Sequence, residues 1–309
     1  MKFIVLLTAL LLEQLRPLRQ GNPVHAAFAR YALYLQHHFD AGQYRQGVVA
    51  WLLAVAPLTL LVFVVDRALW SLSATLGWLF AAGVLYVAVG FRQFSNFFNK
   101  INKLLNDGEV PAARDQLRQW RNEDAGELDA GAVARVAIEL GLVQSHRNVF
   151  APVAWFLVFG PAGALLYRMA AVVHAQWHTG VRPEYAGPGD FVRFSARAFS
   201  IIDWVPARLT AATFAVAGNF QDAVDCWRSQ AAAWSDPLQG IILASGAGAL
   251  GVRLGGELKE FDRVRYRPEL GTGDDADADF LASAVGLIWR AVVIWMLLLV
   301  LVTIAHWVR

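Results

Sequence analysis

The sequence predicts an all-α protein, a polytopic membrane helical bundle with interfacial or re-entrant helices and a cytoplasmic helical region. Its 309 residues are 57% hydrophobic and include 12 Trp, and the mean hydropathy of +0.41 exceeds that of ordinary soluble domains. Several apolar runs approach the length that crosses a bilayer. The formal net charge is only +2, so the sequence lacks the basic field that would indicate a nucleic-acid partner.

Residues 1–91 are predicted to hold the N-terminal transmembrane segments. The opening run "MKFIVLLTALLLEQL" starts like a signal peptide, but no small-residue cleavage site follows. We therefore expect an uncleaved first membrane segment. Two further apolar runs, 47–65 and 76–91, are separated by the short polar link 66–73, a pattern that predicts a hairpin of two spans.

Residues 92–147 are predicted to form cytoplasmic amphipathic helices. Apolar residues recur every three or four positions from Phe94 to Leu105, which indicates one apolar helix face. The region contains eight Lys or Arg residues, whereas the link 66–73 contains one. The positive-inside rule then places this region in the cytoplasm of a multi-pass membrane protein. Membrane lipid is the expected partner, and association into oligomers is compatible with this interpretation.

Residues 148–256 are predicted to form a core of broken membrane helices. Within it, "FAPVAWFLVFGPAGALLYRM" is interrupted by Gly160-Pro161 and carries Arg168 near its far end. Non-helical backbone is tolerated at membrane depth only where it is buried in protein or lines a cavity. An acidic loop, 257–279, and a C-terminal transmembrane helix, 280–309, complete the predicted organisation.

Charged residues lie in or beside the apolar runs of this core. A charge in lipid is costly, so each side chain should face a protein cavity or extend to the interface. Arginine also binds phosphate and carboxylate groups in a bidentate manner. Two interpretations stay open: independent interfacial arginines, or a cytosol-facing pocket for an anionic small molecule. The residues concerned are Arg168, Arg197, Asp203, Arg208 and Arg253.

Metal and nucleotide motifs give no further indication of function. Cys226 is the single cysteine, which excludes an internal disulfide and any multi-cysteine metal cluster. His174 and His178 would share a helix face, a spacing compatible with zinc ligands or with an interfacial pair, and we predict no metal site. The phosphate-binding glycine motifs and the H-E-x-x-H motif do not occur in the sequence.

Two stretches follow one family pattern closely. "ELGLVQSHRNVFAPVAW", 139–155, follows E-T-V-A-E-N-T-S-D-G-V-V-A-P-L-F-W, and "GPAGALLYR", 160–168, follows G-P-x-G-A-x-x-Y-R without a gap. "PARLTA", 206–211, and "AGALGVRLGG", 247–256, continue the pattern. On these residues the chain resembles the CobD/CbiB family of cobalamin-biosynthesis membrane proteins and its relative AmpE. The resemblance places the Gly160-Pro161 break in the family scaffold, where backbone and Arg168 would line a cavity. With the anionic pocket considered above, the candidate ligand-binding residues are Gly160, Pro161, Tyr167, Arg168, Arg197, Arg208 and Arg253.

The departures from this pattern lie at its acidic positions. The E-N-T-S-D of the family falls on residues 143–147 and ends in Arg147, and its N-T-L-D-S falls on residues 171–175, with His174 at the Asp position. We therefore expect a diverged, AmpE-like protein of the bacterial inner membrane that is non-catalytic, has no cofactor and has a sensory or modulatory role. The resemblance to AmpE implies that this role is linked to β-lactamase induction and cell-wall recycling.

Two alternatives stay open beside that expectation. One is an adenosylcobinamide-phosphate synthase of cobalamin biosynthesis, which joins adenosylcobyric acid to aminopropanol or its phosphate through an amide and uses ATP and magnesium. Glu139 and Asp203 would then be the candidate catalytic residues. The other is a transporter of an anionic solute, against which the absence of an internal repeat argues.

Overall fold

The computed structural model describes residues 2–15, 23–121, 126, 128–179, 189–260 and 263–307. These residues are predominantly helical with very little sheet, which confirms the predicted fold class. Within the described part of the chain, the α-helices are α1 Lys2–Leu15, α2 Pro23–Phe39, α3 Tyr44–Leu72, α4 Ala74–Ala88, α5 Phe91–Asn106, α6 Val110–Arg121, α7 Ala130–Ser145, α8 Ala151–Phe159, α9 Pro161–Thr179, α10 Asp190–Ala217, α11 Phe220–Gln230, α12 Pro237–Leu250 and α13 Ala278–Trp307.

Two of the described helices are long and apolar enough to cross a membrane. They are α3 and the portion Ala278–Ala305 of α13. Helix α3 leaves large apolar side chains exposed along its length, among them Leu60, Leu61 and Val64, as expected of a surface that faces lipid. The predicted hairpin partner, α4, has 15 residues, which is shorter than the roughly 20 residues of a full span.

The backbone contacts divide the chain into two compact units. Residues 1–90 and 147–206 form the first unit, and residues 91–146 and 207–309 form the second. The first unit has a core around Trp177, whose indole nitrogen donates to the carbonyl oxygen of Ala32 at 2.9 Å. Gly47 of α3 lies so close to the backbone of Phe191 that a methyl group there would clash with its carbonyl oxygen.

The second unit is organised around α12, which is buried from Gly240 to Ala249. Small residues allow this close packing: Gly246 contacts Leu142 of α7, and Gly248 lies against the backbone of Asp222 in α11. Ser245 donates from its hydroxyl to the carbonyl oxygen of Ala211 at 2.7 Å. The glycines of this segment therefore serve helix packing, as the sequence indicates.

Short strands follow α12. β1 Val252–Arg253 pairs in parallel with β4 Asp274–Asp275, and β2 Leu258–Glu260 pairs antiparallel with β3 Arg263–Arg265. The predicted acidic loop, 257–279, thus contains three of these strands. Its glycines allow the pairing, because Gly271 and Gly273 have positive φ and approach the carbonyl oxygens of Val252 and Gly251.

Candidate functional site

The apolar stretch is broken at Gly160-Pro161, between the end of α8 and the start of α9. Gly160 adopts φ 67° and ψ −153°, a region that is essentially restricted to glycine, and Pro161 begins α9, where its missing N–H costs nothing. Gly163 packs so closely against the carbonyl oxygen of Trp155 that a side chain could not fit. The sequence prediction of an interrupted apolar helix is therefore confirmed.

A π-helix, His146–Phe150, lies immediately before α8. Such helices are rare and occur frequently at functional sites. It carries two polar residues, Arg147 and Asn148, that belong to the first unit. In the sequence, Arg147 stands out only as a basic residue at an acidic position of the family pattern, so the π-helix is the structural feature that identifies its neighbourhood as a candidate site.

Polar and aromatic side chains surround the buried ring of Phe199 on α10. The guanidinium carbon of Arg147 lies 5.8 Å from the ring centroid, and the Tyr167 ring lies 5.8 Å away. The imidazole of His174 stacks on the Phe199 ring at 4.8 Å and 17°. The Tyr167 hydroxyl donates to Oδ1 of Asp203 at 2.9 Å, and both residues are buried. We call Arg147, Tyr167, His174, Phe199 and Asp203 the Phe199 cluster.

Arg168 follows Tyr167 and contacts the π-helix. Its Nη1 donates to Oδ1 of Asn148 at 2.6 Å. Its Nε is buried and has no hydrogen-bond partner among the described residues. Nδ1 of His174 is also buried and has no hydrogen-bond partner among the described residues. Buried polar atoms without hydrogen-bond partners are uncommon in folded proteins, and each one requires an explanation.

The other predicted arginines have different surroundings. Arg197 is exposed on α10, and Arg208 is half-buried on the same helix. Arg253 forms an exposed ion pair with Asp275, with 3.0 Å between Nη2 and Oδ1. Arg168 and Arg197 belong to the first unit, and Arg208 and Arg253 belong to the second. A single pocket that contains all four arginines stays a prediction.

Glu139, the other candidate catalytic acid, lies in the second unit and is held by several contacts. Arg267 donates from Nη1 to Oε2 at 2.5 Å and from Nη2 to Oε1 at 3.1 Å. The backbone N–H of Gly255 donates to Oε1 at 2.8 Å. Arg267 also lies over the Trp234 ring, 5.6 Å from its centroid. Arg267 could not be identified from the sequence as a partner of Glu139, because 128 residues separate the two.

A cavity of about 630 Å³ lies in the second unit at the N-terminal end of α7. Asp129 caps this helix by accepting from the N–H of Ala132 at 2.7 Å. Arg135 donates from Nη2 to the carbonyl oxygen of Glu257 at 2.6 Å. The cavity thus adjoins the segment that follows the AGALGVRLGG stretch. Its lining residues are Leu128, Asp129, Ala130, Gly131, Ala132, Arg135, Glu257, Asp275 and Ala276.

The side chains that could act as metal ligands show whether a resident magnesium ion would fit the Phe199 cluster. Across the residues that the structure describes, no group of three or more His, Cys, Asp or Glu side chains is arranged to hold a metal ion. Magnesium prefers carboxylate oxygens and water, whereas the Phe199 cluster offers one carboxylate, Asp203, beside a guanidinium and an imidazole. The residues of this cluster therefore do not fit a protein-held magnesium ion.

Comparisons with known proteins identify the relatives of the chain. The family described as CobD/Cbib protein matches residues 6–288. The cobalamin biosynthesis protein CobD of Stutzerimonas stutzeri is 37% identical over 308 residues, which cover 96% of each chain. The protein of the same name from Chromobacterium violaceum is 35% identical and covers 81% of this chain and 77% of its own length. That of Mycobacterium tuberculosis is 30% identical, covering 87% and 85%. No solved structure matches the chain.

These findings correct two expectations. The main expectation, an AmpE-like sensory or modulatory protein, is wrong, because the relatives are named cobalamin biosynthesis proteins. The expectation that the protein is not an enzyme is wrong for the same reason. It was drawn from the missing acids at positions such as 147 and 174, but Asp203 and Glu139 remain as buried carboxylates, so the replaced acids did not justify it. By its family match and its relatives, the chain belongs to the CobD/CbiB family.

Proposed function

We propose that the protein is the enzyme of cobalamin biosynthesis that forms adenosylcobinamide phosphate. In this reaction, adenosylcobyric acid is joined through an amide to aminopropanol or its phosphate, and ATP is expected to activate the carboxyl group. The observation that carries the proposal is the match to a cobalamin biosynthesis protein over 96% of both chains. The match therefore extends over nearly the whole length of both chains.

Of the two candidate catalytic carboxylates, the contacts favour Asp203. If ATP converts the carboxylate to an acyl phosphate, attack by the amine nitrogen forms the C–N bond and breaks the bond between the carboxyl carbon and the phosphate oxygen, so that phosphate leaves. The amine nitrogen must also lose a proton, and a positioned carboxylate can accept it. Tyr167 orients Asp203 through a hydrogen bond of 2.9 Å. Glu139 instead receives two donors from Arg267 and one from Gly255, an arrangement that supports a structural role.

The location in the cell is part of the same proposal. Two long apolar helices support a membrane protein. We place it in the inner membrane with several passes, and we place residues 92–147 in the cytoplasm, where ATP and the cobalamin precursors would be available. Magnesium would accompany ATP through the nucleotide's own phosphates, and no step assigned here to the protein depends on a resident metal ion.

The test uses a host strain that lacks its own cobinamide-phosphate synthase and receives cobyric acid. Expression of this chain should restore cobalamin-dependent growth, and extracts should form cobinamide phosphate or cobinamide from cobyric acid. Asp203→Asn should abolish growth, whereas Arg193→Gln, at an exposed position on the same helix, should retain it. Failure of the unmodified chain to restore growth, with protein detected in the membrane fraction, would refute the proposal.

A further inference from the structure

Helix α13 presents two different exposed surfaces along its length. Up to position 290 its exposed side chains are mostly small, polar or charged, namely Asp279, Ala282, Ser283, Trp289 and Arg290. After position 290 the exposed side chains that the structure describes are all apolar, namely Val293, Leu297, Leu298, Leu301, Ile304 and Ala305. Polar side chains are stable in water, whereas a continuous apolar surface is stable in lipid. The surroundings of the helix therefore change close to position 290.

The buried side of α13 changes at nearly the same place. The helix packs against α7 and α5 of the same unit. Its buried side chains lie mainly in the first half, at Leu281, Ala284, Leu287, Ile288, Ala291 and Val292. Of the side chains described after Val292, Leu299 alone is buried. The first half of α13 is thus packed as part of the second unit, and the second half leaves most of its surface uncovered by protein.

The uncovered half has the length that a bilayer requires. Residues 291–307 of α13 number about 17 and extend over about 25 Å as a helix, at the short end of the range for transmembrane helices. Hydropathy alone starts the span at residue 280, because residues 280–288 are also nearly all apolar. In the structure, the largest apolar side chains of that stretch are mostly used for packing within the protein.

Arg290 lies at the boundary between the two surfaces. Its Nε donates to the carbonyl oxygen of Gly286 at 3.3 Å, so the side chain is directed towards the N-terminal half of α13 and away from the apolar surface. Long basic side chains near the end of a membrane segment extend in this way to reach the headgroups. Within the described part of the chain, Arg290 forms no ion pair with a carboxylate. Its neighbour Trp289 is 42% exposed, and Trp is enriched at the membrane interface.

We propose that the bilayer surface crosses α13 at Trp289-Arg290, that lipid covers the apolar side chains from Val293 onwards, and that Arg290 binds the headgroup of an anionic phospholipid. Lipid is favoured over a second copy of the chain, because a cation stands at the edge of the apolar surface, where anionic headgroups would lie. This lipid contact does not depend on the reaction proposed above.

Spin labels on single cysteines measure where α13 enters the lipid. In a Cys226→Ser background, Ser283→Cys and Leu297→Cys place labels at exposed positions on the two sides of Arg290. The full-length protein is placed in nanodiscs of phosphatidylcholine and phosphatidylglycerol. A water-soluble nickel chelate should relax the label at position 283, whereas oxygen, and not the chelate, should relax the label at position 297.

Three outcomes of this measurement would overturn the proposal. Equal protection of both labels from the chelate would mean that lipid or protein covers the first half as well. Equal access of the chelate to both labels would mean that the second half is not in lipid. Dipolar broadening at position 297 that disappears on dilution with unlabelled protein would show that a second copy covers this surface.

The headgroup contact is tested by native mass spectrometry of the full-length protein released from detergent during a phosphatidylglycerol titration. Arg290→Gln should weaken phosphatidylglycerol binding about fivefold, the effect expected for one basic residue near a lipid surface. Arg290→Lys should largely retain binding, and so should the control Arg228→Gln, at an exposed position on α11. Equal binding by Arg290→Gln and Arg228→Gln would refute the headgroup contact. The spin-label measurement leaves Arg290 unchanged, so it decides the position of the boundary even if Arg290→Gln does not fold.

Discussion

Tyr167 donates a hydrogen bond to Oδ1 of Asp203, 2.9 Å away, so two buried residues from different helices share one polar contact. Removal of the hydroxyl leaves the carboxylate without this donor. A hydrogen bond to a charged group contributes about 1.5–3 kcal/mol, so Tyr167→Phe should lower the rate of cobinamide-phosphate formation by roughly 10-fold to 100-fold. Tyr266→Phe is the matched control, because Tyr266 is 80% exposed. Equal rates in both variants would exclude a role for this contact.

The Glu139–Arg267 pair should contribute to stability. The side chains are 8% and 14% exposed, and Glu139→Gln would leave the positive charge of Arg267 buried without its counter-charge. Loss of one partner of such a pair costs about 3–5 kcal/mol, so the unfolding midpoint in detergent should fall markedly. Glu109→Gln, at an exposed position on the loop before α6, should leave it unchanged. A midpoint for Glu139→Gln within error of the unmodified protein would show that the pair is dispensable.

Gly160→Ala should destabilise the junction between α8 and α9. The positive φ of 67° is unfavourable for any residue with a Cβ, with an expected cost of about 1–3 kcal/mol. Gly83→Ala provides a control, because Gly83 is helical and nothing lies within 4 Å of an added Cβ. Its effect should be neutral or slightly stabilising. Thermal unfolding of both variants distinguishes backbone strain from a general effect of added methyl groups.

Cys226 should react slowly with alkylating reagents in the folded protein. The residue is buried, and this burial raises the pKa of the Cys226 thiol, so little of the reactive thiolate forms near neutral pH. Mass spectrometry after iodoacetamide treatment at about pH 8 should find modification mainly after unfolding in SDS. In a Cys226→Ser background, Ser229→Cys at an exposed position on the same helix should react rapidly. Rapid modification of native Cys226 would show that α11 opens in solution.

The proposed orientation in the membrane predicts which cysteines can be labelled from outside. Gln119→Cys in a Cys226→Ser background places an exposed thiol in region 92–147. A membrane-impermeant maleimide should label it only after the inner membrane is permeabilised. Ser71→Cys, at an exposed position near the C-terminal end of α3, should be labelled in intact cells. The reverse pattern would mean that the orientation is inverted.

Much of this protein could be predicted from local sequence patterns. Hydropathy and helical spacing predicted the all-α fold and the long apolar helices, because both patterns can be read from residues that are close together in the sequence. Gly160-Pro161 predicted the break, since positive φ and a missing N–H are properties of those two residues. The quoted motifs predicted the family. The charge replacements at 147 and 174 led to the wrong function, because single positions did not show which carboxylates remained buried.

Only the tertiary structure decided which distant residues meet. Phe199, Asp203, Tyr167 and Arg147 come from three separate helices, and their arrangement depends on how those helices pack. Arg267 contacts Glu139 across 128 residues, and the backbone N–H of Gly255, a glycine with positive φ, donates to the same carboxylate. Hydropathy and periodicity contain no information on such pairings, since side-chain contacts between helices are determined by the shapes and volumes of whole packed faces.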